Sequence, residues 1–308
     1  MIKALFIVGP TASGKTALSI FLAKALGGEI ICADSMQIYK GIHVASAAPD
    51  EDEKDGVPHH LFEFLNLKDE YSVADYVKAA RSVISEISAR GKLPIIVGGT
   101  GLYVSSLLDN IEYIEQDADP VLRQELETRF DEIGAEEMLL ELSKFDPESA
   151  KRLHPNNRRR IIRAFEVYLQ TGKTITEQNV LSRQTPSSID PFVIGITYKN
   201  RELLYERINR RVDVMLSNGL FEEAKQTVGN NTNGAFQAIG HKELYPAVLG
   251  EDTCDNCAEH LKQQTRRYAK RQLTWFNRDE RINWVYPDLD ADCFNTALNL
   301  TKDFLKEE

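Results

Sequence analysis

Short apolar runs alternate with longer segments of helical spacing over the first third of the chain. Residues 3–8 are rich in Leu, Ile, Phe and Val, which is typical of a strand buried on both faces of a parallel sheet. A second strand is predicted at 29–33 and a third at 94–97. The spacing of apolar residues predicts helices over 16–26 and 72–90. This alternation of strand and helix favours a parallel α/β sheet.

The middle of the chain has a different pattern. Between residues 114 and 186 no segment has the pattern of a strand, and prolines 120, 147 and 155 are expected in the first turns of helices. Strand character returns at 192–197 and 282–285, and helices are predicted from residue 201 and over 259–277. We therefore predict an α/β core formed by residues 1–113 and 187–308, interrupted by an all-helical insertion at 114–186.

Composition indicates an ordinary water-soluble protein with an uneven distribution of charge. The chain has 308 residues and a net charge of −10, which excludes a uniformly basic nucleic-acid coat protein. Residues 112–148 contain 13 acidic and three basic residues, whereas 151–173 contain seven basic residues and one acid. A second basic segment spans 262–281. Such clusters indicate either a face for a polyanion or solvated helices paired with their acidic neighbours.

The cysteine pattern and the hydropathy bear on location. Cys254 and Cys257 have the spacing of a zinc knuckle, but no second pair follows them, so we expect free thiols at the start of a helix. Few cysteines, no signal segment and no apolar run near the roughly 20 residues of a membrane span predict a cytoplasmic protein that does not bind a membrane.

A phosphate-binding loop follows the first predicted strand. The segment fits the pattern GxxxxGK[ST] and precedes a helix, so backbone N–H groups and the helix N-terminus can bind an anion. The lysine can reach a terminal phosphate, and the hydroxyl of Thr16 can ligate Mg²⁺. The residues predicted to bind a diphosphate or nucleotide here are Gly9, Pro10, Thr11, Ala12, Ser13, Gly14, Lys15 and Thr16.

An ATPase or kinase would carry a magnesium-binding Asp at the end of a second strand. The strand at 94–97 ends instead in Gly98-Gly99-Thr100, whereas Asp34 follows the strand at 29–33. Carboxyl ends of parallel strands share one edge of a sheet, so Asp34, Thr100 and the phosphate loop should face one cleft. From its position alone, Asp34 can be either a general base or the cap of a local turn.

Several segments together resemble the tRNA dimethylallyltransferases, also called tRNA isopentenyltransferases. The matches run in order from residue 9 to about 276 and comprise GPTASGKT at 9–16, DSMQIY at 34–39, PHHL at 58–61, VGGTGLY at 97–103, HPNNRRRIIR at 154–163, QAIG at 237–240 and RYAKRQLTW at 267–275. The resemblance implies a core like that of a nucleotide kinase and a helical insertion that binds the anticodon stem-loop.

The resemblance also implies an activity. The family transfers a dimethylallyl group from dimethylallyl diphosphate to the exocyclic amine of the adenosine 3′ of a tRNA anticodon, with Mg²⁺ as cofactor. We expect the chain to act as a monomer. Because no zinc-finger segment like that of eukaryotic relatives follows, the resemblance is to the bacterial type.

Residue roles carried over from the family are as follows. Asp34 corresponds to the general base and Thr100 to the residue that positions the amine, while Arg211 corresponds to an arginine near the diphosphate. Positions that correspond to tRNA contacts in the family are Asp34, Ser35, Met36, Gln37, Thr100, Arg123, Arg159, Arg160, Ile161, Ile162 and Arg163. The chain departs from the family pattern at Ala48, where a lysine is usual, and at His241, where a tyrosine is common.

The residues themselves lead to further expectations, one of which differs from the roles carried over from the family. Arg159, Arg160 and Arg163 share a helix face and are expected to contact tRNA phosphates, whereas the two isoleucines between them are expected to pack inward. His59 and His60 are expected to be structural, and the aromatic residues at 268 and 275 are expected to belong to the core.

An ATP-dependent small-molecule or nucleotide kinase is the main alternative function, and a non-enzymatic RNA-binding protein is the second.

Overall fold

A computed structural model describes residues 1–113, 119–229 and 238–306, with the backbone alone at 183 and 184. The predicted start of the insertion at residue 114 and Gln237 of the QAIG segment lie outside the described residues. No helix of the described chain is long and apolar enough to cross a membrane.

Six parallel strands form one sheet in the order β3-β2-β4-β1-β5-β6. The strands are β1 (Ile2–Val8), β2 (Gly28–Cys32), β3 (His59–His60), β4 (Leu93–Gly98), β5 (Ile189–Ile196) and β6 (Ile282–Val285). All five predicted strands are present. β3 was not predicted, since two residues are too few to show a pattern. β5 begins before its predicted start because Asp190 and Pro191, which pair with β1, interrupt the apolar run.

The helices of the described chain connect these strands or fill the insertion. They are α1 (Lys15–Leu26), α2 (His43–Ser46), α3 (Glu51–Lys54), α4 (Val73–Ala89), α5 (Gly101–Leu108), α6 (Pro120–Leu142), α7 (Pro147–Arg152), α8 (Arg158–Thr171), α9 (Ile175–Gln184), α10 (Arg201–Ser217), α11 (Leu220–Thr227), α12 (His241–Val248), α13 (Cys254–Phe276) and α14 (Cys293–Lys306).

Local sequence explains where several helices begin and end. Ser72 and Asp75 form a capping box at the start of α4, and Gly27 adopts a left-handed conformation that ends α1. Asp119 caps α6, which begins at the predicted Pro120. α13 begins at Cys254, earlier than predicted, because Thr253 caps a polar first turn that lacks apolar periodicity.

Pro155 does not open a helix, so that prediction is wrong. It lies in a turn before α8, and the helix begins only at Arg158. The turn is closed by the side chain of Asn157, whose Oδ1 accepts a hydrogen bond of 3.0 Å from the backbone N–H of His154. A proline before a side-chain-closed turn has the same sequence signature as a proline in the first turn of a helix.

The described chain divides into two compact units, one of residues 1–108 with 188–308 and one of residues 109–187. The first contains the sheet, and its core lies between the sheet and the helices on its two faces. The second contains α6–α9 and no strand among its described residues. Its own core is built on apolar side chains that include Leu126, Met138, Leu142 and Phe165. α6 is kinked at Gly134, whose φ is 83°.

Candidate active site

The phosphate loop joins the end of the central strand β1 to α1. Gly9 has a φ of 151°, and a Cβ placed there would lie 2.3 Å from the carbonyl oxygen of Ile196. Gly14 has a φ of 104°, so both glycines are needed by the backbone. No side chain of the described chain caps the first turn of α1. Its N–H groups therefore remain available to an anion.

Lys15 of this loop and Arg211 on α10 lie close enough for their charges to interact. Lys15 donates from Nζ to the carbonyl oxygen of Pro10 at 2.8 Å, within its own loop. Arg211 on α10 donates to the carbonyl oxygen of Ala47 at 3.3 Å. Neither side chain forms an ion pair with any described residue. The structure thus brings together two charges that lie 196 positions apart in the sequence, as an anion site requires.

Burial alters the acidity of both cations. Burial and the nearby Arg211 charge lower the pKa of Lys15 to about 8, while Asp34 opposes that change. Burial also lowers the pKa of Arg211, again opposed by Asp34. A bound diphosphate would relieve this repulsion between like charges.

Asp34 follows β2 and lines the same cavity as Lys15, Thr16 and Arg211. Its Oδ1 accepts a hydrogen bond from the backbone N–H of Met36 at 3.0 Å, whereas Oδ2 accepts none from the described residues. The two possibilities that position alone left open are therefore compatible. One oxygen caps the local turn, and the other is available to a substrate.

Thr100 lies at the end of β4, beside the segment that Asp34 begins. Its Oγ1 accepts a hydrogen bond from the backbone N–H of Ser35 at 2.9 Å and donates to Ser35 Oγ at 3.2 Å. Thr100 is not itself in the lining of the cavity, but Ser35 and Tyr268, with which it interacts, are. The structure therefore joins the Asp34 and Thr100 segments through side-chain hydrogen bonds.

The cavity has a volume of about 270 Å³. One part of its lining is polar and includes the phosphate loop and Asp34. The other part is largely apolar and is formed by Ile30, Phe62, Val97, Met215 and Ile239, among others. A ligand with a charged end and a short hydrocarbon end would match such a lining.

A second cavity of about 580 Å³ shares the phosphate loop with the first. Its lining includes Ser13, whose buried Oγ has no hydrogen-bond partner among the described residues, and three arginines of α10, namely Arg207, Arg210 and Arg211. Arg207 donates to the carbonyl oxygen of Ala12 at 3.0 Å. Ala48, where the family pattern has a lysine, lines this same cavity.

The remaining residues predicted near Asp34 also face the first cavity. Ser35, Met36 and Gln37 all belong to its lining. Gln37 Nε2 donates to the carbonyl oxygens of Ser46 at 3.2 Å and Ala47 at 3.0 Å. Gln37 therefore also holds the turn whose Ala47 carbonyl binds Arg211.

The predicted tRNA-binding residues of the insertion fall into two groups. Arg159 and Arg160 are exposed, and their side chains form no hydrogen bond or ion pair with the described residues. Arg163 lies 3.5 Å from Glu166 and Arg123 lies 3.3 Å from the same carboxylate. The acidic segment at 112–148 thus does not neutralise Arg159 and Arg160, as far as the described residues extend.

Ile161 and Ile162, which the resemblance placed among the tRNA contacts, are buried. Their exposures are 0% and 1%, and both pack in the core of the second unit. A tRNA contact through their side chains is therefore wrong, because these side chains have no surface to offer. Their apolar character already indicated inward packing.

The two histidines each have a hydrogen-bond partner, and His59 also lines the first cavity. His60 Nε2 lies 2.7 Å from the largely buried carboxylate of Glu29, and His59 Nδ1 lies 2.7 Å from the carbonyl oxygen of Val57. Cys254 and Cys257 are free thiols at the start of α13. Among the described residues no group of three or more His, Cys, Asp or Glu side chains is placed to hold a metal ion.

Two residues of the site were missed. Tyr268 was expected in the core but lines the cavity beside Asp34, and burial together with the Asp34 charge raises the pKa of its phenol. Gln272, on the same face of α13, contacts both the phosphate loop and the loop after β4. The only signal in the sequence was their place in the segment at 267–275. Trp275 was also expected in the core, but its side chain is 38% exposed and its Nε1 donates to Ser105 Oγ.

The sequence model of the family described as IPP transferase matches residues 37–279. The chain belongs to this family. A tRNA dimethylallyltransferase from Bacillus subtilis is 47% identical to this chain over 290 residues, covering 93% of this chain and 92% of the relative. One from Caldanaerobacter subterraneus is 44% identical over 292 residues, again covering 93% and 92%.

Solved structures agree with this family assignment. A full-length tRNA isopentenylpyrophosphate transferase from Bacillus halodurans is 40% identical, with a TM-score of 0.71, covering 99% of this chain and 96% of that one. A eukaryotic dimethylallyltransferase, described as acting on tRNA, is 29% identical with a TM-score of 0.83, covering 100% of this chain and 82% of that one. The IPP transferase fold thus extends over the whole chain, as the predicted fold class requires.

Proposed function

We propose that this protein transfers a dimethylallyl group from dimethylallyl diphosphate to the exocyclic N6 amine of the adenosine 3′ of a tRNA anticodon, releasing diphosphate. The observation that carries the proposal is the shared cavity. The available oxygen of Asp34 and the cations Lys15 and Arg211 face it together. A proton acceptor and a cradle for an anionic leaving group are the two functions that the transfer needs.

The reaction balances with these groups alone. The N6 lone pair forms a bond to C1 of the dimethylallyl group, the C1–O bond breaks, and the diphosphate leaves with the bonding electrons. The N6 proton passes to the carboxylate of Asp34 as the C–N bond forms. Lys15, Arg211 and the backbone N–H groups of the phosphate loop stabilise the charge that develops on the diphosphate.

The donor set around the phosphate loop fits Mg²⁺. This ion is commonly held by one or two protein oxygens together with phosphate oxygens and waters, so a cluster of carboxylates is not needed. Thr16 is exposed at the start of α1 and lines both cavities, so its hydroxyl would be the protein ligand. When bound, the ion would supply further positive charge at the leaving diphosphate.

The proposed tRNA contacts divide between the two units. In the first unit they comprise residues 34–37 and Thr100, which would receive the target adenosine. In the second they comprise Arg123, Arg159, Arg160 and Arg163, which would bind stem-loop phosphates. The partnerless state of Arg159 and Arg160 supports this role, since each would gain a phosphate without losing an ion pair. We further place the activity in the cytoplasm and assign it to a monomer.

No observation favours the kinase alternative. The end of β4 carries Gly98 and Gly99 where a magnesium-binding Asp would be needed, and the relatives found are tRNA dimethylallyltransferases.

The test is a direct assay of the transfer. The purified chain, Mg²⁺ and dimethylallyl diphosphate are incubated with an unmodified tRNA, and the digested nucleosides are analysed by mass. We expect one adenosine to gain a C5H8 unit with release of one diphosphate, and no product from a tRNA with guanosine at that position. ATP hydrolysis without tRNA, with no prenylated nucleoside, would overturn the proposal in favour of a kinase.

A further inference from the structure

Gln272 joins the two loops that build the active site. Its Oε1 accepts a hydrogen bond from the backbone N–H of Thr11 at 2.9 Å, and its Nε2 donates to the carbonyl oxygen of Gly99 at 2.9 Å. The residue is only 5% exposed and also lines the first cavity. We propose that Gln272 is a positioning residue, which sets the separation between the diphosphate cradle and the segment of Thr100.

The chemistry of the amide explains why a glutamine stands there. One loop offers an N–H donor and the other a carbonyl acceptor, so the bridging group must accept at one end and donate at the other. A primary amide accepts at its oxygen and donates from its nitrogen without charge, and of the two amide side chains only glutamine keeps this reach from α13. Either loop group left unpaired in this buried place would carry a desolvation penalty.

The loop after β4 is shaped to receive this side chain. A Cβ at Gly99 would lie 2.1 Å from Gln272 Nε2, so a side chain there would displace the amide of Gln272. On the same face of α13, one turn earlier, Tyr268 interacts with Thr100. One turn later, a Cβ at Gly101 would lie 2.5 Å from the ring of Trp275. Three side chains on successive turns of α13 thus contact the segment 99–101.

The consequence for catalysis rests on the proposed function. The phosphate loop would hold the leaving group, and the segment of Thr100 would hold the acceptor amine, so a drift between them would lengthen the distance that the new bond must close. A misplacement of about 1 Å can cost about 100-fold in rate. Binding of either substrate alone depends less on that separation.

The test compares Gln272→Met with Gln263→Met. Methionine keeps the length of the side chain but neither accepts nor donates, and Gln263 is an exposed residue of the same helix. We expect kcat with both substrates saturating to fall by about 10- to 100-fold in Gln272→Met. The KM for tRNA and the affinity for inorganic diphosphate should change by less than about threefold, and Gln263→Met should match the wild type.

Gln272→Glu is the second variant. It keeps the acceptor for Thr11 but, when ionised, faces the Gly99 carbonyl without a proton, so kcat should fall even if the Met variant does not fold. An unchanged kcat in a folded Gln272 variant would overturn the proposal. So would a loss confined to KM, or a lower melting temperature with normal kcat.

Hydrogen exchange separates this inference from the function on which it rests. The Thr11 amide should exchange faster in Gln272→Met than in the wild type, whatever reaction the protein catalyses. If the wild type transfers no dimethylallyl group while this protection is lost in the variant, the proposed function fails and the bridge stands. Equal exchange in both proteins would show that the bridge does not restrain the loop.

Discussion

His241 and Glu223 form a buried pair, with His241 Nε2 2.8 Å from Glu223 Oε1. The histidine is 0% exposed. The carboxylate also accepts hydrogen bonds from the backbone N–H groups of Val44 at 2.8 Å and Ala45 at 2.9 Å. The pair therefore anchors α2, the helix that precedes the Ala47 carbonyl to which Arg211 donates.

Glu223→Ala should lower both stability and activity. Two backbone N–H groups and a buried imidazole would lose their acceptor, and each unsatisfied buried group costs about 1–3 kcal/mol. We expect a clear fall in the free energy of unfolding, measured by urea denaturation. Glu222→Ala, on the exposed side of the same helix, serves as the control. Equal stability of the two variants would contradict the anchoring role.

Asp34→Asn should separate capping from proton transfer. The amide oxygen can still accept from the Met36 N–H, so we expect a melting temperature close to that of the wild type. The amide cannot take up the N6 proton, so single-turnover rates should fall by roughly 10²–10⁴. Rates near normal in this variant would refute Asp34 as the base.

Diphosphate affinity should fall as pH rises through about 8. Burial and Arg211 lower the pKa of Lys15 to about 8, so the lysine of the free protein is charged below that pH and neutral above it. A bound anion favours the charged form, so above the free pKa binding must take up a proton. Calorimetric titration of inorganic diphosphate from pH 7 to 9 measures this.

Lys15→Met supplies the matched control for that pH series. It should bind diphosphate more weakly at pH 7 and lose the dependence around pH 8, because no group of suitable pKa remains at this position. A variant with the same pH profile as the wild type would show that another group is responsible.

Arg160→Ala should weaken tRNA binding without destabilising the second unit. The Arg160 side chain forms no hydrogen bond or ion pair with the described residues, so its removal breaks none. Removal of one phosphate contact should flatten the plot of log K against log salt by about one unit of slope. An unchanged slope would show that Arg160 is a solvent-exposed residue that does not contact a tRNA phosphate.

Arg158→Ala is the control for this experiment. Arg158 forms an ion pair with Asp131 and lies over the ring of Phe130, so its removal should lower the melting temperature. It should leave the salt slope of tRNA binding nearly as in the wild type. The two neighbouring arginines are thus expected to give opposite results in the two measurements.

The sequence by itself determined the features that arise from local pattern. The buried strands, the phosphate loop between β1 and α1, and the place of Asp34 after β2 could all be predicted, because each depends on residues within a few positions of one another. Ile161 and Ile162 likewise follow the apolar face of their own helix. The proposed roles of Asp34, Thr100 and the exposed arginines remain predictions.

Only the tertiary structure decided which distant groups complete the site. Gln272 reaches Thr11 across 261 positions of sequence, and Arg211 reaches Ala47 across 164. The spacing of apolar residues along the chain cannot predict such a contact. Its partners are brought together by the packing of α10 and α13 and not by local backbone preference. Tyr268 has the helical spacing of a core aromatic residue. Only the tertiary structure shows that it lines the cavity beside Asp34.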